Sequence, residues 1–233
     1  NMVFNCLKSG VGSYFNDKGF LGGCAKGAFA GSISYAGAYI ATFNDVPMLG
    51  ATGKLVNDLG ISISDNVMRG ENMLSQYQTE LGPVTLTFRD SIIPSPSFTL
   101  TPAVAIVKDL AGGQVFDARN SLYNLTPVFY MPLERNGWYS GKGMVAGYSN
   151  GNVISYTPID YVGNLTLSHE FNHSLFWSKM RFCGDFMPGP LATDGAVGKW
   201  WNIGQDLCFQ ALAAPSNFQA TYYYGPLELE AHI

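Results

Sequence analysis

Two histidines four residues apart place the strongest constraint on how this chain can fold. His169 and His173 enclose Glu170 in the pattern H-E-x-x-H, and the 233 residues contain only three histidines. On an α-helix, residues four apart lie one turn from each other on the same face. Two neutral imidazoles placed in this way can bind one Zn²⁺, with room left for a third protein ligand and a water molecule. The pattern therefore predicts a helix around His169 with a metal site on one face.

The position of Glu170 predicts a catalytic rather than a purely structural metal. Glu170 follows the first histidine directly, so on a helix its carboxylate lies beside the metal instead of on it. A carboxylate in that position can accept a proton from a water molecule that the ion activates. We therefore predict His169 and His173 as zinc ligands and Glu170 as the general base. Asn164 suits the N-cap of this helix, and Gly184 suits its C-terminal end.

A catalytic zinc requires a third protein ligand in addition to the two histidines. Candidates lie near the C-terminus and in the stretch that follows the histidine pair: Glu228, Glu230 and His232, and Asp185, Asp194 and Asp206. Glu228 and Glu230 are two residues apart, so on a helix their side chains would point about 200° apart. Only one of these two glutamates could then face the metal.

The stretch Glu228-Leu-Glu230-Ala231 resembles the E-x-x-A pattern that carries the third ligand in zincins whose third ligand is a glutamate. Taken with the H-E-x-x-H pattern, it makes residues from about 140 to 233 resemble a gluzincin-type zinc metallopeptidase. The resemblance implies Glu228 as the third ligand, peptide or protein as the substrate, and hydrolysis of a peptide bond as the reaction. It also implies a zincin-like α+β fold. The chain departs from the family at His232, where Asp or Asn often orients a ligating histidine.

The composition is that of a folded globular protein with few charges. Hydrophobic residues make up 47% of the chain and charged residues only 13%, which is about half the usual charged share. The net charge of −4 is spread along the chain, and Lys and Arg form no cluster. These features argue against a nucleic-acid partner, which requires a concentrated positive surface.

Four cysteines are present, and none forms the C-x-x-C pair of a zinc ribbon or a thioredoxin-like motif. They are Cys6, Cys24, Cys183 and Cys208. A pairing such as Cys183–Cys208 is compatible with an exported protein, and free buried thiols are compatible with a protein in a reducing compartment. The sequence leaves both alternatives open.

Residues from about 10 to 53 are rich in glycine and alanine, and no charge occurs between Lys26 and Asp45. The glycines that repeat every four residues are Gly23, Gly27 and Gly31. On a helix they would form a flat strip that lets another backbone approach closely, as in membrane helix pairs. We favour a helix packed inside a soluble domain over a membrane span, because glycine lowers both helix propensity and hydrophobicity. Membrane contact through residues 20–43 is the alternative.

The remainder of the chain up to the histidine pair carries strand signals. Strands are predicted at Pro83–Arg89, Ser97–Thr101 and Val104–Val107, and a loop with a short strand is predicted at Leu122–Leu133. Asn150-Gly151 is a strong hairpin signal, flanked by Met144–Tyr148 and Asn152–Tyr156. An edge strand of this hairpin, close to a zinc helix, can bind an extended peptide by strand addition.

These patterns predict an N-terminal segment over residues 1–75, acting as linker, packed helix or translocation element, and a metallopeptidase-like domain over residues 76–233. The stretches Gly22–Gly53 and Asp65–Gly70 resemble the C-terminal toxin regions of bacterial Rhs/YD-repeat polymorphic proteins. That resemblance implies a secreted or delivered effector, cut from a larger protein, with an immunity or inhibitor protein and a delivery protein as partners. The alternative function is a membrane-interacting or binding module whose metal is structural.

Overall fold

A computed structural model describes residues 2–43, 46–132, 147–158 and 166–175. Three long helices come first, and two small sheets with three shorter helices follow, which confirms the predicted α+β class. The helices are α1 (Met2–Phe15), α2 (Phe20–Ala41), α3 (Leu49–Met68), α4 (Leu100–Ala111), α5 (Ala118–Asn124) and α6 (166–175). The strands are β1 (Gln76–Leu81), β2 (Val84–Arg89), β3 (Ser95–Phe98), β4 (Val115–Phe116), β5 (Val128–Tyr130), β6 (Gly147–Asn150) and β7 (Val153–Tyr156).

The helices α1, α2 and α3 form a layer in which backbones touch. A Cβ atom added to Gly27 of α2 would lie 2.1 Å from the Asn5 carbonyl oxygen of α1. Further along α2, a Cβ atom on Gly37 would lie 2.2 Å from the Asn57 amide nitrogen of α3. Both separations are too short for any side chain, so glycine is required at both positions. The close approach predicted from the glycine spacing is thereby confirmed.

Buried polar pairs join these three helices, and many large apolar side chains of α1 and α2 face outward, although α3 also buries apolar side chains such as Ile63. Lys8 of α1 pairs with Asp65 of α3, and the Ser34 hydroxyl of α2 donates to the Asn57 side-chain oxygen of α3 at 2.7 Å. The outward-facing apolar side chains of α1 and α2 include Val3, Leu7, Tyr14, Phe15, Leu21, Phe29 and Tyr39. Among the described residues, no helix combines the length and the apolar character needed to cross a membrane.

The first sheet is an antiparallel meander of β1, β2 and β3, in which Gln76 pairs with Arg89 and Leu81 with Val84. Strand β2 confirms the strand predicted from Pro83 to Arg89. The strand predicted at Ser97–Thr101 is only partly right, because β3 runs from Ser95 to Phe98 and a helix begins at Leu100. The strand predicted at Val104–Val107 is wrong, since these residues lie within α4.

The second sheet has the strand order β4-β5-β7-β6, with β5 and β7 parallel and the other pairs antiparallel. The predicted hairpin is confirmed as β6 and β7, and Gly151 in its turn has the positive φ of 64° that favours glycine. The stretch predicted as loop with a short strand contains β5 and also the end of α5, which was not predicted. Among the strands that the structure describes, β6 is the outermost on the side of the hairpin.

The second sheet lies between α4 and α6. On one face, Val153 and Phe129 pack with Ala105 of α4. On the other face, an apolar cluster joins the sheet to α6 and to the end of α2: Ala41, Val128, Ile154, Leu167, Phe171 and Leu175. Packing against the sheet therefore fixes the position of α6, and the end of α2 contacts the same apolar cluster. The division of the chain near residue 75 stays a prediction.

A disulfide bond joins Cys6 of α1 to Cys24 of α2. The sequence alone did not single out this pair. The two cysteines are 18 residues apart in the sequence and lie on neighbouring antiparallel helices, so the bond links α1 directly to α2. The other two cysteines, Cys183 and Cys208, lie outside the described residues.

Candidate metal centre

The helix α6 is anchored by an apolar stripe. Leu167, Phe171 and Leu175 recur every four residues, and each is at most 3% exposed. They pack against Val128 and Ile154 of the second sheet. A stripe at this spacing stabilises a helix through burial on one side, which leaves other sides of α6 to carry polar groups. The helix ends predicted at Asn164 and Gly184 lie outside the described residues.

The two histidines of α6 face each other at close range, as the spacing predicted. Their Nε2 atoms are 3.0 Å apart, their ring centroids are 4.6 Å apart, and their ring planes are inclined at 86°. Two nitrogens that share one Zn²⁺, each about 2.0–2.1 Å from it, are separated by roughly 3–3.5 Å. The pair therefore fits a shared metal ion. An N–H···N hydrogen bond between neutral imidazoles gives the same separation, so metal binding is the distinguishing measurement.

Glu170 lies next to the histidine pair in a tightly packed position, only 3% exposed. It points towards strand β6: a Cβ atom added to Gly147 would lie 3.0 Å from Glu170 Cγ and 2.6 Å from Thr166 Cγ2. The absence of a side chain at Gly147 is what lets α6 and β6 approach so closely. A buried carboxylate that directly follows one of two paired histidines on a helix is a candidate general base.

The outer strand β6 runs beside α6 with its side chains alternating between two faces. Gly147 pairs with Tyr156 and Tyr148 with Ser155 across the hairpin. Gly147 lies on the face towards α6, and the next residue, Tyr148, lies on the opposite face towards α4. In general, a strand at the edge of a sheet can accept an extended peptide as a further strand.

Two polar networks, one buried and one half-buried, hold the hairpin in place. Asp109 of α4 accepts hydrogen bonds from the hydroxyl groups of Tyr148 and Ser155, and burial raises the pKa of the Asp109 carboxyl above its usual range. The Tyr156 hydroxyl donates to Asp117 at 2.8 Å. Burial, with Asp117 as a second cause, raises the pKa of Tyr156 to about 12. Both tyrosines therefore stay protonated hydrogen-bond donors at neutral pH.

The third metal ligand is the part of the predicted site that the structure leaves open. Glu228 and its alternatives Glu230, His232 and Asp194 lie outside the described residues, as do Asp185 and Asp206. Within the part of the chain that the structure describes, no group of three or more His, Cys, Asp or Glu side chains could hold a metal. His169, Glu170 and His173 are brought together, and the assignment of Glu228 stays a prediction.

Two residues near the site were not predicted from the sequence. Gly147 had a usable signal, because a glycine inside a strand often marks the close approach of another backbone or helix. Asp109 had no such signal. The residues before it were predicted to form a strand, whereas they belong to the helix α4, which directs the Asp109 carboxylate towards the hairpin.

The chain was compared with protein-family models, with curated proteins and with solved structures, and none of them matches it.

Proposed function

We propose that this protein is a zinc-dependent metallopeptidase with a zincin-like arrangement of its active-site helix. The observation that carries the proposal is the 3.0 Å separation of the His169 and His173 Nε2 atoms, with Glu170 buried beside them. A helical H-E-x-x-H pattern in this geometry supplies two ligands and a base from a single element. His169, His173 and Glu228 would hold the ion.

The chemistry that Zn²⁺ supplies when bound is Lewis acidity, which makes a water nucleophilic at neutral pH and polarises a carbonyl group. Glu170 then has two tasks in sequence. Its carboxylate accepts a proton from the attacking water and passes that proton to the leaving amine. Gly147 of β6 lies directly against the Glu170 side chain, and this close packing would restrict the rotamers that Glu170 can adopt.

The substrate would be a peptide segment in extended conformation. Strand β6 is the outermost of the described strands of its sheet and lies against α6 through Gly147. A peptide that adds to this edge gains main-chain hydrogen bonds whatever its sequence. Its backbone would then run past the histidine pair, which brings a scissile carbonyl near Glu170.

Secretion or delivery as an effector is the proposed context. Structural disulfides persist in oxidising environments and are rare in cytosolic proteins, so the Cys6–Cys24 bond supports export. The resemblance to polymorphic toxin regions would add an immunity or inhibitor protein and a delivery protein as partners.

The test is the substitution Glu170→Gln, which keeps the size of the side chain and removes the base. We expect the variant to retain zinc while its peptidase activity falls by roughly two or more orders of magnitude. Activity is measured on a library of quenched fluorescent peptides, and zinc is measured by elemental analysis. Glu71→Gln is the matched control. Glu71 lies in the turn before β1, pairs with Arg89 at the end of β2, and belongs to no part of the site.

The same variant separates the proposal from a binding module with a structural metal. If Glu170→Gln loses its zinc and unfolds, Glu170 is structural and the mechanism is misassigned. If the intact protein binds zinc and cleaves no peptide in the library, the structural-metal alternative holds.

A further inference from the structure

The cluster around Asp109 lies on the side of the second sheet that faces away from the histidine pair. Asp109 is in the last turn of α4 and only 1% exposed. Its two carboxylate oxygens accept hydrogen bonds from the Tyr148 hydroxyl and from Ser155 Oγ, the latter at 2.9 Å. Gln114 Nε2 donates to the same Tyr148 oxygen at 2.6 Å. One carboxylate thus contacts both strands of the hairpin.

This carboxylate occupies a position that stability alone does not favour. The C-terminal end of a helix carries partial negative charge, so an acidic side chain there is unfavourable. Burial adds a desolvation cost, which is also the main cause of the raised pKa of Asp109. The contacts of Asp109 therefore point to a role in geometry.

The contacts of Asp109 are specific to the present register of the hairpin. Tyr148 and Ser155 are directly opposite each other on β6 and β7. A slip of one residue would turn Tyr148 to the other face and break its contact with Asp109. The neighbour of Tyr148, Gly147, is the residue against which Glu170 packs. Fixing Tyr148 therefore fixes Gly147 opposite Glu170.

We propose that Asp109 is a positioning residue for the candidate peptidase site, acting through Tyr148 and Ser155 to set the outer strand β6 against α6. The inference rests on the proposed function and deepens it. Substrate backbone that adds to β6 takes its position from that strand, while the histidines and Glu170 belong to α6. Loss of Asp109 should therefore misplace the peptide without removing the metal.

The test compares Asp109→Asn and the milder Tyr148→Phe with the intact protein. We expect kcat/KM for a peptide that the intact protein cleaves to fall roughly tenfold to a hundredfold, mainly through a higher KM. Zinc content should not change. In hydrogen exchange, the amides of residues 147–150 should exchange faster in Asp109→Asn, and those of residues 166–175 should keep their rates.

The matched control is Asp58→Asn. Asp58 of α3 is also buried, its pKa is also raised by burial, and it accepts a hydrogen bond from Thr79 at 2.7 Å, within the helical layer and the first sheet. If kcat/KM falls as much in Asp58→Asn as in Asp109→Asn, general destabilisation explains the loss in Asp109→Asn, and the positioning role is overturned.

The remaining outcomes separate this inference from the proposed function. Folded Asp109→Asn and Tyr148→Phe variants with the kcat/KM of the intact protein, beside an inactive Glu170→Gln, would overturn the positioning role alone. An intact protein that cleaves no peptide would overturn both.

Discussion

The helical layer and the region around α6 bury different mixtures of side chains. Between α1, α2 and α3 the buried groups are mainly glycines, serines and paired charges, beside a small apolar cluster of Ala30, Ile63 and Val67, and many large apolar side chains point outward. Between α6 and the second sheet the buried groups are Leu167, Phe171, Leu175 and their apolar neighbours. The first region is held by the fit of backbones, whereas the second is held by removal of apolar surface from water.

The difference extends to how each region treats charge. The helical layer contains the buried pairs Lys8–Asp65 and Lys54–Asp58, and burial raises the pKa of Asp58 although Lys54 beside it acts in the opposite direction. Breaking such a pair costs far more than the pair contributes. Around α6 the polar groups are instead concentrated at the candidate metal centre.

The largest effect on this comparison is expected from Phe171→Ala. Phe171 is 0% exposed within the apolar cluster, so its truncation should lower the free energy of unfolding by about 3–5 kcal/mol. Phe29→Ala in α2 is the matched variant, because Phe29 is 55% exposed and its loss should change stability by no more than about 0.5 kcal/mol. Urea denaturation measures both values. Similar losses in the two variants would mean that the outward face of α2 is covered in solution.

Two smaller changes in stability, of opposite sign, are expected from substitutions within α2 itself. Gly27→Ala places a Cβ atom 2.1 Å from the Asn5 carbonyl oxygen, so α1 and α2 must separate, at a cost of about 1–3 kcal/mol. Gly22→Ala places its Cβ atom in open space and should stabilise the helix by about 0.5–1 kcal/mol. Thermal unfolding of the two variants gives the comparison. Stabilisation by both substitutions would contradict backbone contact between α1 and α2.

The parts of the fold that the sequence predicted are those set by local geometry. Asn150-Gly151 required a tight turn, and the hairpin β6–β7 forms there with Gly151 at positive φ. The four-residue spacing of His169 and His173 required a shared helix face, and their Nε2 atoms converge. Close approach of helices followed from the glycine spacing in α2. In each case a few neighbouring residues determine the conformation.

The parts that the sequence did not predict depend on contacts between distant residues. Val104–Val107 has a β-branched pattern typical of a strand, but four residues are too few to distinguish a strand from a helix. The helix α4 was nevertheless signalled by Pro102 in its first turn and by Gly112 at its end. The Cys6–Cys24 pairing and the contact of Asp109 with the hairpin carry no local signal, because each joins separate elements.

The most direct test of the account is the zinc content of the purified protein and its histidine variants. The intact protein, purified with zinc present, should hold about one equivalent of zinc per chain. His169→Ala and His173→Ala should each hold less than about a tenth of an equivalent, because removal of either Nε2 atom leaves too few ligands. An intact protein with less than about a tenth of an equivalent, or histidine variants that retain as much zinc as the intact protein, would contradict the metal site.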